Sequence, residues 1–352
     1  MESNVEITVG DINIGSGCPT FFIAEISANH DQDIEKAKAL IRSAADAGCD
    51  AIKLQTYTPD TITIDSRDPE FMVDGTIWEG QSLYELYQKA YTPWDWHAEL
   101  FDLAKSLGLI AFSSPFDFTA VDFLENLNVP MWKIASSELV DIPLLAMVAR
   151  TGKPVILSTG MATLDEIEEA VATLHENGCK EFALLKCTAS YPAKAEDANL
   201  QTIPDMQKRF NCPVGLSDHT LDLAVPLVAI GLGACIIEKH ITLSRSEGGI
   251  DAAFSLEPAE LKQLLQQIRI ADAAKGKVCY SPSAGELISR KFRRSLYAVK
   301  DIKKGEKFTS GNVKSIRPAA GLHTREYKDV IGKISEYDIL KGKPLDVTVF
   351  EK

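Results

Sequence analysis

Eight short, mostly apolar segments, rich in Val, Ile, Leu and Phe, recur along the first two thirds of the chain, and polar residues lie towards the end of each. Apolar runs of this length predict strands that are buried on both faces, as in a parallel sheet. The segments span residues 21–25, 51–56, 109–115, 131–136, 154–160, 182–188, 213–219 and 234–241.

Between these segments the apolar residues recur every three or four positions, which is the period of an amphipathic helix. In residues 163–178, Thr163 and Glu166 form a potential capping box, and Gly178 stands where a C-terminal cap would be. Residues 258–274 have the same period. Eight alternations of strand and helix predict an α/β fold, the (β/α)8 TIM barrel, with an open doubly wound sheet as the alternative.

The alternation stops after Ala274, and the remaining chain has short strands and Gly turns. A barrel needs about 250 residues, so a chain of 352 has room for a second domain. We predict a barrel domain over 1–280, a linker over 281–293 and a small domain over 294–352. The long link over residues 58–93 is an insertion of the kind that often forms a lid or a specificity loop.

The charge of the chain is unevenly distributed. Its net charge is −13, which disfavours nucleic acid as a partner, because phosphate backbones need a basic field. Residues 285–352 contain 16 Lys and Arg against 9 Asp and Glu, a net of +7, so residues 1–284 carry −20. The two parts either pack against each other or are solvated independently.

Nothing in the sequence predicts a membrane protein or a secreted one. There is no apolar stretch of 18 residues, and the N-terminus lacks a basic region followed by an apolar core. The seven cysteines are odd in number and include no C-x-x-C pair, which argues against a disulfide framework or structural zinc. We therefore expect a reduced protein in the cytosol.

Polar residues at the carboxyl ends of barrel strands are candidates for an active site. A single one is often only a helix N-cap, but eight strands that all end this way predict a functional ring. Buried lysines need anions, so Lys53 and Lys133 together with nearby serines predict a site for phosphate and carboxylate groups. His219 and His240 end the seventh and eighth segments, where two imidazoles and water could hold a divalent metal.

Two carboxylates of this ring are candidates for acid and base catalysis. Glu25 is the first choice and Glu138 the second. A salt bridge from Glu25 to Lys53 on the next strand is the structural alternative, and the two roles are compatible.

Several stretches of the ring, including AEISANH, AIKLQTYTP, FSSPFD, KIASSE, KCTASYP, VGLSDHT and IIEKH, resemble the sialic acid synthase family in order and spacing. The C-terminal stretches SLYAVKDIKKGE and SIRPAAGL are similar to the antifreeze-like (SAF, β-clip) domain of that family. The resemblance implies an enzyme that condenses phosphoenolpyruvate with an amino-sugar to give a nine-carbon 2-keto-3-deoxy acid and phosphate.

The resemblance also implies residue roles. Phosphoenolpyruvate would be bound by Lys53, Ser114, Lys133, Ser136, Ser158 and Ser217. A Mn²⁺ or Mg²⁺ ion would be held by His219 and His240. The sugar would contact Gln55, Phe116, Tyr191 and Asp251, together with Arg317 from the SAF domain and Phe292 from the linker of the partner in a domain-swapped homodimer.

Within the family the chain resembles the pseudaminic acid synthase branch. Ser27 and Asp31 stand where sialate and legionaminate synthases usually have glycine. That branch uses 2,4-diacetamido-2,4,6-trideoxy-L-altrose, whose methyl group implies an apolar subsite. The aromatic residues Phe71, Trp78, Trp94 and Trp96 could form this subsite or simply pack. An N-acetylneuraminate or N,N'-diacetyllegionaminate synthase is the alternative, and a metal-dependent aldolase a more distant one.

Overall fold

The computed structural model describes residues 5–349, so the outermost residues of the predicted domains 1–280 and 294–352 lie outside it. The chain divides into two compact units, Met1–Gly276 and Lys277–Lys352. Each unit has a hydrophobic core of its own. Within residues 5–349 no helix has the length and apolarity that a bilayer span requires.

Eight parallel strands form a ring in the first unit. In chain order a hairpin comes before them, β1 (Glu6–Val9) and β2 (Ile12–Gly15). The ring consists of β3 (Phe21–Glu25), β4 (Ala51–Thr56), β5 (Ile110–Pro115), β6 (Trp132–Ile134), β7 (Val155–Ser158), β8 (Phe182–Cys187), β9 (Val214–Asp218) and β10 (Ile236–His240). Hydrogen bonds connect β5, β4, β3, β10, β9, β8, β7 and β6 in that order, and β5 lies beside β6 to complete the ring.

A helix follows each strand of the ring, so the predicted (β/α)8 barrel is confirmed. The helices are α1 (Ile34–Ala47), α2 (Pro59–Ile62), α3 (Leu83–Ala90), α4 (His97–Ser106), α5 (Phe118–Asn126), α6 (Ile142–Arg150), α7 (Leu164–Glu176), α8 (Thr202–Phe210), α9 (Ala224–Gly231) and α10 (Pro258–Lys275). Helices α2 and α3 belong to the insertion after β4. The capping box of α7 is present, since Thr163 Oγ1 accepts a hydrogen bond from Glu166 N at 3.3 Å.

The strands are mostly apolar because each has a core on both faces, and their polar residues, such as Lys53 and His240, lie towards the carboxyl ends. Outward residues such as Phe22 pack against the helices, while inward residues such as Ile23 fill the barrel. The hairpin contributes Ile7 and Ile14 to the inner core, where they pack with residues near the strand starts. Sequence analysis did not predict this hairpin, although the alternation in ITVGDINI around a Gly-Asp turn would have indicated it.

The second unit is small and mostly made of turns. It contains α11 (Ala284–Ser289), β11 (Ser295–Ala298), β12 (Val313–Ile316) and α12 (Tyr327–Val330). The strands β11 and β12 pair antiparallel. Leu296, Phe308, Val313 and Leu345 lie in its core.

Candidate active site

A cavity of about 370 Å³ lies at the carboxyl ends of the barrel strands. This volume is in the range of small-molecule sites. Most of the predicted site residues line it, namely Lys53, Gln55, Phe116, Lys133, Ser136, Glu138, Ser158, Tyr191, Ser217, His219, His240 and Asp251. Glu25 and Ser114 are not lining residues, and Phe292 and Arg317 belong to the second unit.

Glu25 is buried behind Lys53. Its Oε2 atom lies 2.5 Å from Lys53 Nζ, and its Oε1 atom accepts a hydrogen bond from Ser27 N at 2.7 Å. Ser114 Oγ is 3.5 Å from the same ammonium group. The alternative considered for Glu25, a salt bridge to Lys53, is therefore present, and Glu25 adjoins the cavity through two lining residues, Lys53 and Ser27.

Lys133 is the second buried lysine of the site. Its Nζ donates hydrogen bonds to Ser158 Oγ at 2.7 Å and to Ile134 O at 3.2 Å. Burial lowers the pKa of Lys133 to about 8, although the charge of Glu238 acts in the opposite direction. Nearby, Gly160 N donates to Ser136 Oγ at 3.0 Å, which holds another predicted serine at the rim.

Glu238 lies between the two lysines, and sequence analysis did not select it. Its Oε1 atom is 3.3 Å from Lys53 Nζ and 3.5 Å from Lys133 Nζ, and it accepts a hydrogen bond from Ser217 Oγ at 3.1 Å. Alternation along β10 was the available signal, because Glu238 and the predicted metal ligand His240 are two residues apart and share a face.

Burial and charge push the pKa values of the three carboxyl groups in different directions. Burial raises the pKa of Glu25, and Lys53 offsets this only in part. Burial would also raise the pKa of Glu238, but the charges of Lys133 and Lys53 lower it overall. Glu138, whose Oε2 has no hydrogen-bond partner in the described chain, has its pKa raised to about 7 by burial. Such divergence is typical of groups that exchange protons.

His219 and His240 lie side by side with ring centroids 5.2 Å apart. His219 Nδ1 is 3.1 Å from Thr188 O, which assigns a proton to Nδ1 and leaves Nε2 as the free nitrogen. His240 Nδ1 is buried and has no hydrogen-bond partner among residues 5–349. No group of three or more His, Cys, Asp or Glu in that range is arranged for a metal, and the two imidazoles remain the predicted ligands.

A buried ion pair fixes the strands that carry both histidines. Lys239 Nζ lies 2.6 Å from Asp218 Oδ2 and donates to Thr220 O, also at 2.6 Å. Lys239 and Asp218 are paired in the register of β10 and β9. They immediately precede His240 and His219 in the chain, so the pair fixes the backbone on which the imidazoles stand.

Aromatic rings extend from the histidines towards the insertion. Tyr191 lies 4.5 Å from His219 between ring centroids, and Phe254 lies 5.0 Å from His240. Trp78 follows at 5.7 Å from Tyr191, and its indole nitrogen donates to Ile250 O at 2.9 Å. The insertion adds an apolar wall to the same cavity, formed by Val73, Leu83, Leu86, Tyr87 and Ala90.

Of the four aromatic residues considered for an apolar subsite, Trp78 is the one that lines the cavity. Trp94 stacks on Phe123 with ring centroids 4.7 Å apart, and Trp96 packs edge-on against His30. Phe71 belongs to a short 3-10 turn and is not a lining residue. The packing role therefore applies to Trp94 and Trp96, while Phe71 simply lies outside the cavity lining.

Asn29, in the loop after β3, joins two loops of the rim. Its Nδ2 atom donates to Ile241 O and to Ser255 Oγ, both at 2.8 Å. Its Oδ1 atom accepts from Asp251 N at 3.2 Å. The loop after β3 is thereby held against the loop after β10, which contains the predicted sugar-binding carboxylate Asp251.

Phe292 and Arg317 lie on neighbouring segments of the second unit. The Ala319 N atom donates to Lys291 O at 3.0 Å, which brings the stretch after β12 beside the 3-10 turn that ends at Phe292. Both side chains are exposed within this chain.

The chain is similar to known proteins over nearly its whole length. It matches the NeuB family over residues 40–280 and the SAF domain over residues 293–346. A pseudaminic acid synthase from Helicobacter pylori is 43% identical over 335 residues, which cover 95% of this chain and 98% of that protein. An N,N'-diacetyllegionaminic acid synthase from Campylobacter jejuni is 40% identical over 320 residues, covering 90% and 96%.

A solved structure gives the same picture. The N-acetylneuraminic acid synthetase from Leptospira borgpetersenii, crystallised with citrate, superposes with a TM-score of 0.73 and 34% sequence identity. The similarity covers 81% of this chain and 95% of that one.

Proposed function

The chain belongs to the NeuB family, and we propose that it condenses phosphoenolpyruvate with 2,4-diacetamido-2,4,6-trideoxy-L-altrose and water to give pseudaminate and phosphate. The observation that carries the proposal is one cavity with two unlike halves. One half has two buried lysines and several serines, and the other has an apolar wall from the insertion. The similarity to pseudaminic acid synthases over 95% of the chain supports the choice of product.

The cationic half suits phosphoenolpyruvate. Its phosphate and carboxylate need several positive charges and hydrogen-bond donors, which Lys53, Lys133 and the hydroxyls of Ser136, Ser158 and Ser217 supply. Ser114 supports this half from behind Lys53. Glu238 shares its Oε1 atom between both ammonium groups and holds them in place before the anion arrives.

His219 and His240 would hold the divalent metal, Mn²⁺ or Mg²⁺. The unpartnered Nδ1 of the buried His240 fits this role, because a buried nitrogen without a partner is otherwise costly. When bound, the ion would polarise the aldehyde of the open-chain sugar as a Lewis acid. Tyr191 and Phe254 pack against the two imidazoles and restrict water around them.

In the reaction, the electrons of the C2–C3 double bond of phosphoenolpyruvate form a bond from C3 to the aldehyde carbon, whose oxygen gains a proton. Water then adds to C2 and loses one proton, which balances the proton gained by the aldehyde oxygen. As the C2 carbonyl forms, the bond from C2 to the phosphate oxygen breaks, and the remaining proton of the C2 hydroxyl leaves with phosphate. Glu138 takes the proton from water, because it lines the cavity and its pKa of about 7 suits proton exchange near neutral pH.

Glu25 acts through Lys53 in this scheme. Sequence analysis preferred it over Glu138, but its carboxylate is fully buried and ion-paired, and it does not line the cavity. Its contribution is to keep Lys53 charged: burial alone would lower the pKa of Lys53, and Glu238 and Glu25 raise it.

The apolar half suits the sugar. Gln55 and Asp251 offer hydrogen bonds, while Phe116, Tyr191 and the wall from the insertion accept a methyl group and acetamido methyl groups. A hydroxymethyl group in place of the methyl would be buried without a partner, which costs about 1–3 kcal/mol. The wall thus favours a 6-deoxy sugar over N-acetylmannosamine, and the preference for pseudaminate over N,N'-diacetyllegionaminate rests on similarity to relatives.

Phe292 and Arg317 act in a second copy of the chain. Arg317 belongs to the SAF domain, and Phe292 lies immediately before it. Residues 285–352, which contain both, carry +7 against −20 for the rest of the chain, so the two parts attract each other. In a domain-swapped homodimer each SAF unit would deliver its arginine to the cavity of the partner. The reaction takes place in the cytosol, where phosphoenolpyruvate is made.

Release of phosphate tests the proposal. The purified protein with a divalent metal should release phosphate only when phosphoenolpyruvate and the amino-sugar are both present, and mass spectrometry should detect the nine-carbon keto acid. His219→Ala should abolish this turnover while its far-UV circular dichroism stays unchanged. Cleavage of a keto acid without phosphate would instead indicate an aldolase.

A further inference from the structure

Ser27 adopts a backbone conformation that serine rarely takes. Its φ angle is +50°, in the left-handed region that glycine enters without steric cost. The residue is 3% exposed and lines the cavity. Strain of this kind at a cavity wall is a reason to look for a function of the side chain.

The side chain of Ser27 joins two predicted sugar contacts. Its hydroxyl donates a hydrogen bond to Asp251 Oδ2 and accepts one from Gln55 Nε2 at 3.2 Å. Its backbone N donates to Glu25 Oε1 at 2.7 Å. Among the described residues, Asp251 Oδ1 has no donor, so the network leaves one carboxylate oxygen for a ligand.

We propose that Ser27 is a positioning residue for the acceptor sugar, whose hydroxyl holds Asp251 and Gln55 in the one arrangement that recognises the sugar. The inference rests on the proposed function and deepens it. Ser27 occupies Oδ2 of Asp251 and one N–H of Gln55, which fixes the rotation of both side chains and presents Oδ1 as an acceptor. With glycine at this position, Gln55 would lose this partner and Asp251 Oδ2 would keep only the backbone N–H of Ala28, at 3.4 Å. Both side chains would then be held less firmly, and the cavity would select sugars differently.

Holding the two rim loops together does not require this hydroxyl. Asn29 already connects them with three hydrogen bonds, to Ile241 O, to Ser255 Oγ and from Asp251 N. Ser27 adds a contact to the Asp251 side chain, which lines the cavity, and a purely structural role would not need that group.

Two variants and a matched control test the inference. Ser27→Gly removes the hydroxyl and relieves the strain, whereas Ser27→Ala removes the hydroxyl and keeps the strain. Ser255→Ala is the control, because its buried hydroxyl also contacts Asp251, but through the backbone O at 2.6 Å. For each protein we would measure KM for the diacetamido sugar, KM for phosphoenolpyruvate and the melting temperature.

Both Ser27 variants should raise KM for the sugar about tenfold, the usual effect of a lost hydrogen bond to a charged group, with KM for phosphoenolpyruvate within about twofold of wild type. The ratio of kcat/KM for the diacetamido sugar to kcat/KM for N-acetylmannosamine should decrease. Ser255→Ala should melt earlier without a change in KM for the sugar, and Ser27→Gly should melt no earlier than Ser27→Ala.

Unchanged KM for the sugar in both Ser27 variants would overturn the inference, and so would a parallel rise in KM for phosphoenolpyruvate. A wild-type protein that released no phosphate with any amino-sugar would refute the proposed function, and the inference with it. Wild-type turnover therefore separates the two failures.

Discussion

Replacing Lys239 by methionine should cost about 3–5 kcal/mol of the free energy of unfolding, as expected when one partner of a buried ion pair is removed. Lys239 and Asp218 are 0% and 2% exposed, and the substitution would leave the carboxylate of Asp218 buried without its cation. It also removes the hydrogen bond to Thr220 O. Asp218 would still accept hydrogen bonds from the backbone N of Thr220 at 2.9 Å and from the Thr220 hydroxyl at 3.2 Å. The loss in free energy of unfolding should therefore be about 3 kcal/mol, the lower end of this range.

Urea denaturation followed by tryptophan fluorescence measures this loss. All four tryptophans lie in the first unit, so the signal reports on the barrel alone. Lys38→Met is the matched control: Lys38 Nζ also lies 2.6 Å from carboxylates, those of Glu35 and Glu99, but these are mostly exposed. The urea midpoint should fall far more in Lys239→Met than in Lys38→Met. Equal shifts would refute the reasoning that burial makes the pair essential.

Three further predictions concern activity. Because Lys133 loses its charge above a pKa of about 8, kcat/KM for phosphoenolpyruvate should fall above pH 8, and Lys133→Arg, which stays charged, should lack that decline. Glu138 must be ionised to accept a proton, so kcat/KM should rise as the pH increases through about 7. The Glu138→Gln variant should be slow and should lack this rise. If its pH profile matched that of the wild type, Glu138 would not be the base. Leu86→Asn replaces a side chain of the apolar wall with a polar one of similar shape. It should lower the ratio of kcat/KM for the 6-deoxy sugar to kcat/KM for N-acetylmannosamine without changing KM for phosphoenolpyruvate. An unchanged ratio would show that the wall does not determine which sugar is accepted.

The barrel and most of the candidate site could be predicted because both depend on local patterns. Apolar segments such as residues 51–56 coincide with strands, and polar residues after them must meet at one end of a closed parallel sheet. Lys53, Lys133, His219 and His240 therefore line one cavity. For this part of the site, strand order was sufficient information.

The rest of the candidate site could not be predicted, because it depends on how far each side chain is buried below the cavity. The pattern of strands in the sequence does not specify this. Glu25 and Lys53 are both at strand ends, yet only Lys53 lines the cavity, because Glu25 is covered by its own ion pair. Glu238 was not selected from the sequence, because its position between two ammonium groups depends on three strands at once. Trp94 and Trp96 lie in a stretch rich in aromatic residues, and packing partners distant in sequence decide their role.

The central claim is that one cavity joins phosphoenolpyruvate to a 6-deoxy diacetamido sugar. Its most direct test is kcat/KM for 2,4-diacetamido-2,4,6-trideoxy-L-altrose and for N-acetylmannosamine, measured by phosphate release at saturating phosphoenolpyruvate. The apolar wall predicts a preference of about fivefold or more for the 6-deoxy sugar, corresponding to at least ~1 kcal/mol. Equal values, or a preference for N-acetylmannosamine, would contradict the account.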